Sequence, residues 1–464
     1  MKRLIAMLLT FAMLMSFMSI SAFAANNEPD TGVITENTVW NDGDIINGVT
    51  IRGDVTITVK GTVTIAGTIT MSSDSIHKVT IKGETADATL IRSNDFTGQM
   101  FYVEGTTYNF QNLTFKNITL DGGAVWSGEK DQTLDRGTVN TGVKATGSVL
   151  YLVRSNAILE NCILQNHDDA VGEKGNAVFL REYATIAFDD SVVRNNNSVS
   201  TYWKGGVVTT RYGGTVTTNR SEVYGNSGTH GAFVGVSASG SYGTKVECVN
   251  TKLHNNYAST GGALCYLQDN SGIGYVKLTG CTVENNSSPL GLFYSYAYFV
   301  PTWIKDTTFE NNACSVYEFG SDNRGFSVAG NTLISGGYNN YLFKNPVRIF
   351  GALDTTASIP MSEASVSQLM SKYGYLATAT PDIPYHYNHT GNGSYVLTYE
   401  YTWRNLHDIT LADLAQFKLY ENNGYTGWAL TDVDGNGMLD AVPVSVDPTT
   451  VNVTLIDTFK GTSA

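Results

Sequence analysis

The sequence predicts an all-β solenoid, and three observations support this fold class. A phrase that starts with an apolar residue and ends with asparagine recurs at steps of 30, 30, 30 and 26 residues. In every copy a small residue lies two positions before the apolar one, so both face the same side of a strand. Such strands bury that side only by stacking on neighbouring repeats, as in solenoids. The copies are Val193-Arg194-Asn195-Asn196, Val223-Tyr224-Gly225-Asn226, Leu253-His254-Asn255-Asn256, Val283-Glu284-Asn285-Asn286 and Phe309-Glu310-Asn311-Asn312, and the small residues are Ser191, Ser221, Thr251, Cys281 and Thr307.

Residues 1–24 have the composition of a secretory signal peptide. A basic start, Met1-Lys2-Arg3, precedes an apolar run from Leu4 to about Ile20 and the cleavage site Ala22-Phe23-Ala24. No later segment is long and apolar enough to span a bilayer. We therefore expect cleavage near Ala24 and a secreted or cell-surface protein, with an uncleaved membrane anchor as the alternative. The chain ends without a sorting signal, which fits either free secretion or the amino-terminal part of a longer surface protein.

Composition excludes several classes of partner. The net charge is −13, and removal of Lys2 and Arg3 makes the mature chain more acidic. An acidic chain without a basic tract argues against binding to nucleic acid and to anionic membranes. The five cysteines are too few for a disulfide framework in 464 residues, so we expect buried, unpaired thiols.

The predicted strands and turns between Val39 and the regular repeats indicate that the same solenoid begins near residue 39. From Val39 to about Gly122, short apolar–threonine strands alternate with glycine, which predicts tightly wound first coils. A polar excursion between Gly122 and Gly147 is expected to loop away from the shaft. Regular coils begin near Val149, each with a glycine-led apolar strand such as Gly205-Gly206-Val207-Val208. The asparagines suit left-handed corners and can stack as a ladder between coils.

The periodicity stops after Phe350. We assign 25–356 to the solenoid and 357–464 to a small mixed C-terminal module. In that module the stretch from Ser362 to Lys372 predicts a short helix, with Ser362 as its N-cap and Gly374 just beyond its end.

An apolar-x-x-Asn phrase that alternates with Gly-Gly-Ala-apolar, as in Gly261-Gly262-Ala263-Leu264, resembles known repeats. It is similar to the repeats of polymorphic outer-membrane proteins and of adhesin-like surface proteins of gut-dwelling Gram-positive bacteria. The resemblance covers roughly residues 35 to 355. It implies a right-handed parallel β-helix at a bacterial cell surface, and it says little about activity because such solenoids serve both as scaffolds and as enzymes.

The sharpest local motif is Asp432-Val433-Asp434-Gly435-Asn436-Gly437-Met438-Leu439-Asp440. Oxygen ligands at positions one, three, five and nine, with the Met438 carbonyl at seven, match the opening of an EF-hand-type calcium loop. Position twelve is Pro443, so the bidentate glutamate is missing. We expect structural Ca²⁺ held by Asp432, Asp434, Asn436, Met438 and Asp440, or else an Asp- and Gly-rich turn.

A second candidate is the pair Asp168-Asp169, with His230 on a later coil. Paired carboxylates on this fold resemble the acid and base of polygalacturonases. Pectate-lyase-like chemistry needs an acidic calcium-binding cluster and an arginine on one face, and the sequence shows no Asp cluster to match Arg181, Arg194, Arg211 or Arg220. Adjacent residues of a turn usually face water, and we favour that interpretation over catalysis.

Tyr294, Tyr296 and Tyr298 alternate along one strand and so share a face. Outward, they would form a platform for sugar rings; inward, they would belong to the core. We therefore expect an adhesin-like or structural surface protein that binds a polysaccharide or a host or matrix glycoprotein without catalysis. The alternatives are a polysaccharide hydrolase or lyase and a spacer without a ligand.

Overall fold

The computed structural model is a parallel β-helix, as predicted. Three long parallel sheets run along the shaft, and each coil contributes one strand to sheet 1, one to sheet 2 and one to sheet 3 in turn. Sheets 1 and 3 have 11 strands each and sheet 2 has 13. The structure describes residues 32–73, 75–169, 176–200, 205–236, 243–267, 274–295, 302–314, 317–319, 326–336, 343–379, 385–390, 394–399, 406–420, 428–446 and 453–455.

The strands of each sheet follow one another along the shaft. Sheet 1 comprises Val33–Ile34, Thr50–Ile51, Ile69–Ser72, Phe101–Glu104, Leu150–Val153, Val178–Arg181, Val208–Arg211, Val234–Val236, Cys265–Leu267, Phe293–Ser295 and Tyr317–Phe319. Sheet 2 comprises Thr38–Trp40, Thr56–Val59, Lys78–Gly83, Gln111–Lys116, Ser155–Glu160, Thr185–Asp189, Gly214–Asn219, Thr244–Val249, Tyr275–Thr279, Thr302–Lys305, Phe326–Gly330, Val347–Leu353 and Ala377–Ala379. Sheet 3 comprises Ile45–Ile46, Thr62–Ile65, Thr89–Arg92, Thr119–Asp121, Ile163–Gln165, Val192–Arg194, Glu222–Tyr224, Lys252–His254, Thr282–Glu284, Thr308–Glu310 and Leu333–Ser335.

A fourth, short parallel sheet follows the asparagine corners. Sheet 4 comprises Asp168–Asp169, Asn197–Ser198, Ser227–Gly228 and Tyr257–Ala258. The repeat phrase itself lies on sheet 3, where Val193, Val223, Leu253, Val283 and Phe309 pair in register and are all buried. The apolar residues of the phrase therefore form one column of the core.

The two asparagines of each phrase have different structural roles. The first turns the chain in the left-handed conformation, with φ of 57° at Asn195 and 53° at Asn255, and Gly225 replaces it on the coil between them. The second points inward, and Asn196, Asn226, Asn256, Asn286 and Asn312 form a buried ladder. Each side-chain amide donates to the next side-chain oxygen at 3.0–3.1 Å. The predicted corners and ladder are both confirmed.

A second ladder joins the small residues at the corner between sheets 2 and 3. The backbone N–H of Cys162 donates to the Ser191 hydroxyl at 3.0 Å, and the N–H of Ser191 donates to the Ser221 hydroxyl at 3.0 Å. The Ser191 hydroxyl in turn donates to the carbonyl of Leu159 at 2.9 Å. These positions need small polar side chains because they satisfy buried backbone groups.

The polar excursion differs from its prediction, because it lies back on the shaft. It forms an antiparallel hairpin of Trp126–Asp131 and Arg136–Asn140. The Trp126 indole N–H donates to the carbonyl of Asn195 at 2.9 Å, and the Arg136 side chain donates to the carbonyl of Gly225 at 3.0 Å. Both acceptors are residues of left-handed corners. The hairpin therefore covers the edge between sheets 3 and 4.

The C-terminal residues continue the hydrophobic core. Helix α1, Glu363–Tyr373, begins at its N-cap Ser362 and ends at Gly374, which has a φ of 81°, as predicted. A one-turn helix, α2, spans Leu411–Leu414. The remaining strands are Ile359–Ser362 with Phe417–Tyr420, Tyr385–Thr390 with Ser394–Tyr399, and Trp428–Thr431 with Asp440–Val446 and Val453–Leu455.

Core packing runs without a break across residue 357. Val366, Leu369 and Phe417 belong to the same buried cluster as the coil residues, and sheet 2 extends to Ala379. The division into domains at 357 thus stays a prediction from composition. Among the described residues, no helix has the length and apolar character needed to cross a membrane.

Candidate functional site

Asp168 and Asp169 are buried rather than solvated, contrary to the turn that the sequence suggested. Their exposed fractions are 4% and 0%. One carboxylate oxygen of Asp168 accepts from the Asn140 amide at 2.8 Å, and the other accepts from the Asn197 amide at 2.7 Å. Asp169 accepts from the Ser198 hydroxyl at 3.1 Å. Sheet 4 and the hairpin together bury the pair.

Arg136 brings a compensating positive charge into the same region. Burial lowers its pKa to about 10, and the negative charge of Asp168 opposes that shift. Its guanidinium donates to the Ser227 hydroxyl at 2.7 Å and lies 3.6 Å from the centre of the Trp126 ring. These contacts favour a structural role for the acidic pair, because its oxygens hold the hairpin against the coils.

His230 lies two coils beyond Asp168, following the strand Ser227–Gly228 of sheet 4. Neighbouring strands are spaced about 4.8 Å apart, so the coils separate them by roughly 10 Å along the shaft. The His230 ring packs edge-on against Tyr266, with centroids 4.8 Å apart. The three residues of the enzyme hypothesis are therefore not gathered at one point of the shaft.

Tyr294 lies on the outer face of sheet 1, because its neighbour Phe293 faces the core. Its ring stacks on that of Tyr266, with centroids 5.3 Å apart. Tyr294 is half-buried and Tyr266 is buried. Tyr296 and Tyr298 lie outside the described residues, so the three-tyrosine platform stays a prediction.

The predicted calcium loop brings its three acids together. One oxygen from each of Asp432, Asp434 and Asp440 lies within 4.8 Å of the other two. The Asn436 amide donates to Asp434 at 3.0 Å, and its oxygen accepts from the backbone N–H of Met438 at 2.8 Å. Carboxylate and amide oxygens are the hard ligands that Ca²⁺ prefers.

Backbone groups hold the loop in this shape. Asp432 accepts from the N–H groups of Gly435, Asn436 and Gly437 at 2.8, 3.1 and 2.9 Å. Gly435 and Gly437 have φ values of 75° and 79°, which side-chain-bearing residues rarely adopt. The loop is thus wound around the first carboxylate.

The end of the loop is joined to the β-helix. Burial raises the pKa of Asp440, and the charges of Asp434 and Asp432 raise it further. Leu439 is buried, and it exchanges backbone hydrogen bonds with Leu376 and Ala377 at 2.7 and 2.9 Å. The acids therefore repel one another next to the last strand of sheet 2.

A surface that the sequence did not single out lies where sheet 1 turns towards sheet 2. We call it the arginine–tyrosine corner and define it as Glu104, Arg154, Arg181, Glu182, Tyr183, Arg211 and Tyr212. The available signal was a repeated position, since Arg181 and Arg211 end consecutive sheet 1 strands and are followed by Glu182-Tyr183 and by Tyr212.

The backbone of this corner is strained by bulky residues. Arg154, Glu182, Tyr183 and Tyr212 all have positive φ, with values of 45°, 55°, 64° and 61°. Each left-handed residue of this kind costs about 1 kcal/mol relative to glycine. The corner at sheet 3 avoids most of that cost with asparagine and glycine. Large side chains in such positions favour a functional role for them.

Charges in the corner are linked from coil to coil. Arg154 forms ion pairs with Glu104, at 3.0 Å, and with Glu182. Arg181 contacts Glu182 at 2.9 Å. Burial alone would lower the pKa of Arg181. A hydrogen bond with Tyr151 and the charge of Glu182 outweigh that effect, so the pKa of Arg181 is raised. Arg181 therefore carries a fixed positive charge.

Aromatic rings lie on the adjoining outer side of sheet 1, where Tyr151 and Phe179 are buried. Tyr102, Tyr151 and Phe179 stack on three successive coils, with centroids 5.5 and 4.9 Å apart. The Arg211 guanidinium lies 4.7 Å from the centre of the Tyr212 ring. Tyr183 is 54% exposed, and its N–H donates to the carbonyl of Tyr212 on the next coil at 3.2 Å. Rings and charges thus repeat along the shaft.

A shallow groove of about 410 Å³ lies on the corner between sheets 2 and 3. Its walls carry charges that are already paired, because Lys116 contacts Glu160 at 2.6 Å and Arg220 contacts Asp190 at 2.6 Å. Asn117 and Asn161 also line the groove, and the Asn161 amide donates to the Asn117 oxygen at 2.9 Å. This groove is a weaker candidate than the arginine–tyrosine corner because its side chains satisfy one another.

All five cysteines are free and buried, as predicted. Burial raises the pKa of Cys162 to about 12 and that of Cys314 to about 12. It also raises the pKa of Cys248, Cys265 and Cys281. Buried, protonated thiols are poor nucleophiles, so these cysteines do not support a thiol-based reaction.

Fold and site together define a parallel β-helix protein with an aromatic and arginine-bearing face. No family model matches the chain, and searches of curated proteins and of solved structures find no match either.

Proposed function

We propose that this chain is a non-catalytic, adhesin-like protein that binds an extended glycan along the arginine–tyrosine corner. The observation that carries the proposal is the arginine–tyrosine corner, where Tyr183 and Tyr212 hold strained conformations on adjacent coils. Tyrosine and arginine are the side chains most enriched at the energetic centres of binding surfaces. A rigid ring offers an apolar face and a polar hydroxyl to a sugar at little entropic cost.

The repeating geometry suits a polymer. Coils follow one another at about 4.8 Å, so equivalent side chains recur along the shaft at that spacing. The glycan would contact several coils at once, and each additional contact would slow its dissociation. A secreted or cell-surface setting is part of the proposal and depends on the signal peptide of residues 1–24, which lie outside the described residues.

The test is retention of the mature protein on immobilised mucin glycans and plant polysaccharides. Replacement of Tyr183 by alanine should weaken retention about tenfold, as expected for a binding residue worth somewhat more than 1 kcal/mol. Tyr257→Ala is the matched control, because Tyr257 is 37% exposed and lies on sheet 4, away from the corner. Equal retention of both variants and the parent would overturn the proposed site.

Polysaccharide cleavage is the second candidate function, with Asp168, Asp169 and His230 as its residues. The acidic pair is the observation in its favour, since glycoside hydrolysis uses two carboxyl groups. Its test is the release of new reducing ends from the same glycans. Release would replace the adhesin proposal with a hydrolase or lyase, whereas retention without release would support binding.

We also propose that the loop 432–440 binds Ca²⁺ as a structural ion. Asp432, Asp434, Asn436 and Asp440 would supply side-chain oxygens, and Met438 would supply its carbonyl. The ion would relieve the repulsion from Asp434 and Asp432, which adds to the burial that raises the pKa of Asp440. Since Leu439 pairs with sheet 2, binding would stabilise the end of the shaft.

Thermal unfolding in Ca²⁺, in Mg²⁺ and in chelator tests the calcium proposal. We expect Ca²⁺ to raise the midpoint, Mg²⁺ to raise it less, and Asp432→Asn with Asp434→Asn to abolish the difference. Asp354→Asn and Asp408→Asn, outside the loop, are the controls. A midpoint that does not respond to Ca²⁺ would overturn the calcium proposal and leave the loop as a glycine-rich turn.

A further inference from the structure

The charge of the arginine–tyrosine corner differs in sign from that of the whole chain. The chain carries a net charge of −13, yet the corner holds three arginines against two glutamates. Arg154, Arg181 and Arg211 come from three successive coils. A local positive region on an acidic protein attracts anions.

Two of these arginines are direct neighbours. Arg181 and Arg211 are Cα partners in the parallel register of sheet 1. Neighbouring parallel strands lie about 4.8 Å apart, so one anionic group can lie within reach of both side chains. Guanidinium forks suit carboxylate and sulfate oxygens.

The glutamates of the corner are engaged mainly by Arg154. That side chain bridges Glu104 on the preceding coil and Glu182 on the following coil. Arg181 shares Glu182 and is 40% exposed. Arg211 donates to the Tyr212 hydroxyl at 2.9 Å, which fixes its guanidinium against the ring. The corner therefore keeps an excess of one positive charge, held close to the exposed ring of Tyr183.

We infer that the glycan bound at this corner is acidic, with a carboxylate or sulfate group seated between Arg181 and Arg211 and a neighbouring sugar against Tyr183. The inference rests on the proposed glycan-binding function and adds the chemical class of the ligand. Neutral sugar hydroxyls would satisfy the arginines less well, because a charged acceptor makes a hydrogen bond about twice as strong.

Two sets of probes share a backbone and differ in charge. The first is dextran, carboxymethyl-dextran and dextran sulfate. The second is sialylated mucin before and after sialidase treatment. The structure predicts binding at least tenfold tighter to the charged member of each set, weakened as ionic strength rises. The carboxymethyl and sulfate polymers distinguish the two sources of negative charge.

The variants are Arg181→Gln with Arg211→Gln, and Arg181→Lys with Arg211→Lys. The glutamine pair should lose the preference for charged polymers, and the lysine pair should keep part of it, which also shows that the corner still folds. Arg52→Gln is the control, because Arg52 is exposed on an early coil.

The outcomes separate this inference from the proposed function. Equal binding of neutral and charged polymers, weakened by Tyr183→Ala, overturns the acidic ligand and leaves glycan binding intact. Preference for charged polymers that survives in the glutamine pair overturns the assigned arginines. Retention of no polymer at all overturns both the inference and the function on which it rests.

Discussion

Replacement of Asn256 by alanine should destabilise the protein by about 3–5 kcal/mol, because both polar atoms of its side chain are hydrogen-bonded within the buried asparagine ladder. The Asn256 oxygen accepts from the backbone N–H of Asn226 at 3.2 Å and from its amide at 3.1 Å. The Asn256 amide donates to the carbonyl of Val223 and to the Asn286 oxygen, both at 3.0 Å. The side chain is fully buried, so water cannot replace these bonds.

The magnitude follows from the groups that would be left unpaired. Alanine removes four hydrogen bonds and leaves two donors of Asn226 without their acceptor. Each buried orphan donor costs about 1–3 kcal/mol, so the two together cost about 2–6 kcal/mol and the expected loss lies near the middle of that range. Urea denaturation followed by circular dichroism measures the change. Stacked coils need not all unfold in one step. The free energies of unfolding should therefore be compared between variants whose denaturation curves have the same dependence on urea concentration.

Asn285→Gly is the matched control. Asn285 is exposed at a left-handed corner with a φ of 54°, and Gly225 occupies the equivalent position of another coil. Glycine should therefore change stability by only about 0.5 kcal/mol or less. If Asn256→Ala costs no more than this control, the ladder does not stabilise the fold and the reasoning is wrong.

An ionisable side chain at the same position should make the free energy of unfolding depend on pH. In Asn256→Asp the new carboxyl would be buried and would face two oxygen acceptors, so its folded pKa should rise above the unfolded value of about 3.9. A raised folded pKa means that stability is present at low pH and lost as the pH rises. The variant should be closer to the parent near pH 4 than near pH 7.

Two further predictions concern buried polar groups. Asp168→Asn should lower the free energy of unfolding by about 1.5–3 kcal/mol, because one of the two amide donors from Asn140 and Asn197 loses its acceptor. The control is Asp95→Asn, at an exposed position. Equal stability of the two variants would contradict the structural role of Asp168. The five thiols should stay unreactive towards a disulfide reagent near pH 8.5 and react on unfolding, and rapid labelling of the native protein would refute their burial.

The repeat made the fold predictable, since its period, small residues and asparagines all specify the same winding. Ser191 could be placed inside the coil from spacing alone, because it lies two residues before the inward-facing Val193. Asn196 points inward for another reason, since the left-handed Asn195 interrupts the strand alternation. The sequence could also place α1, as its cap residues Ser362 and Gly374 act locally.

The candidate site was less predictable, because it depends on contacts between distant residues. The hairpin of 126–140 has no periodicity, so nothing in the sequence indicated that Asn140 would reach Asp168. The strained tyrosines were missed for another reason. Tyr183 and Tyr212 stand where asparagine or glycine is usual, and the sequence alone does not reveal which residues turn a corner.

The inserted hairpin also indicates where this architecture accepts new chain. It enters between Asp121 of sheet 3 and Leu150 of sheet 1, yet those sheets keep their pairing on both sides of it. By contrast, the segment from sheet 2 to sheet 3 keeps one spacing, since both Phe188 and Val193 pair in register with the next coil. The side that leads into sheet 1 is thus a natural grafting edge. A foreign loop or peptide epitope inserted there would be displayed on a rigid rod whose winding it does not disturb.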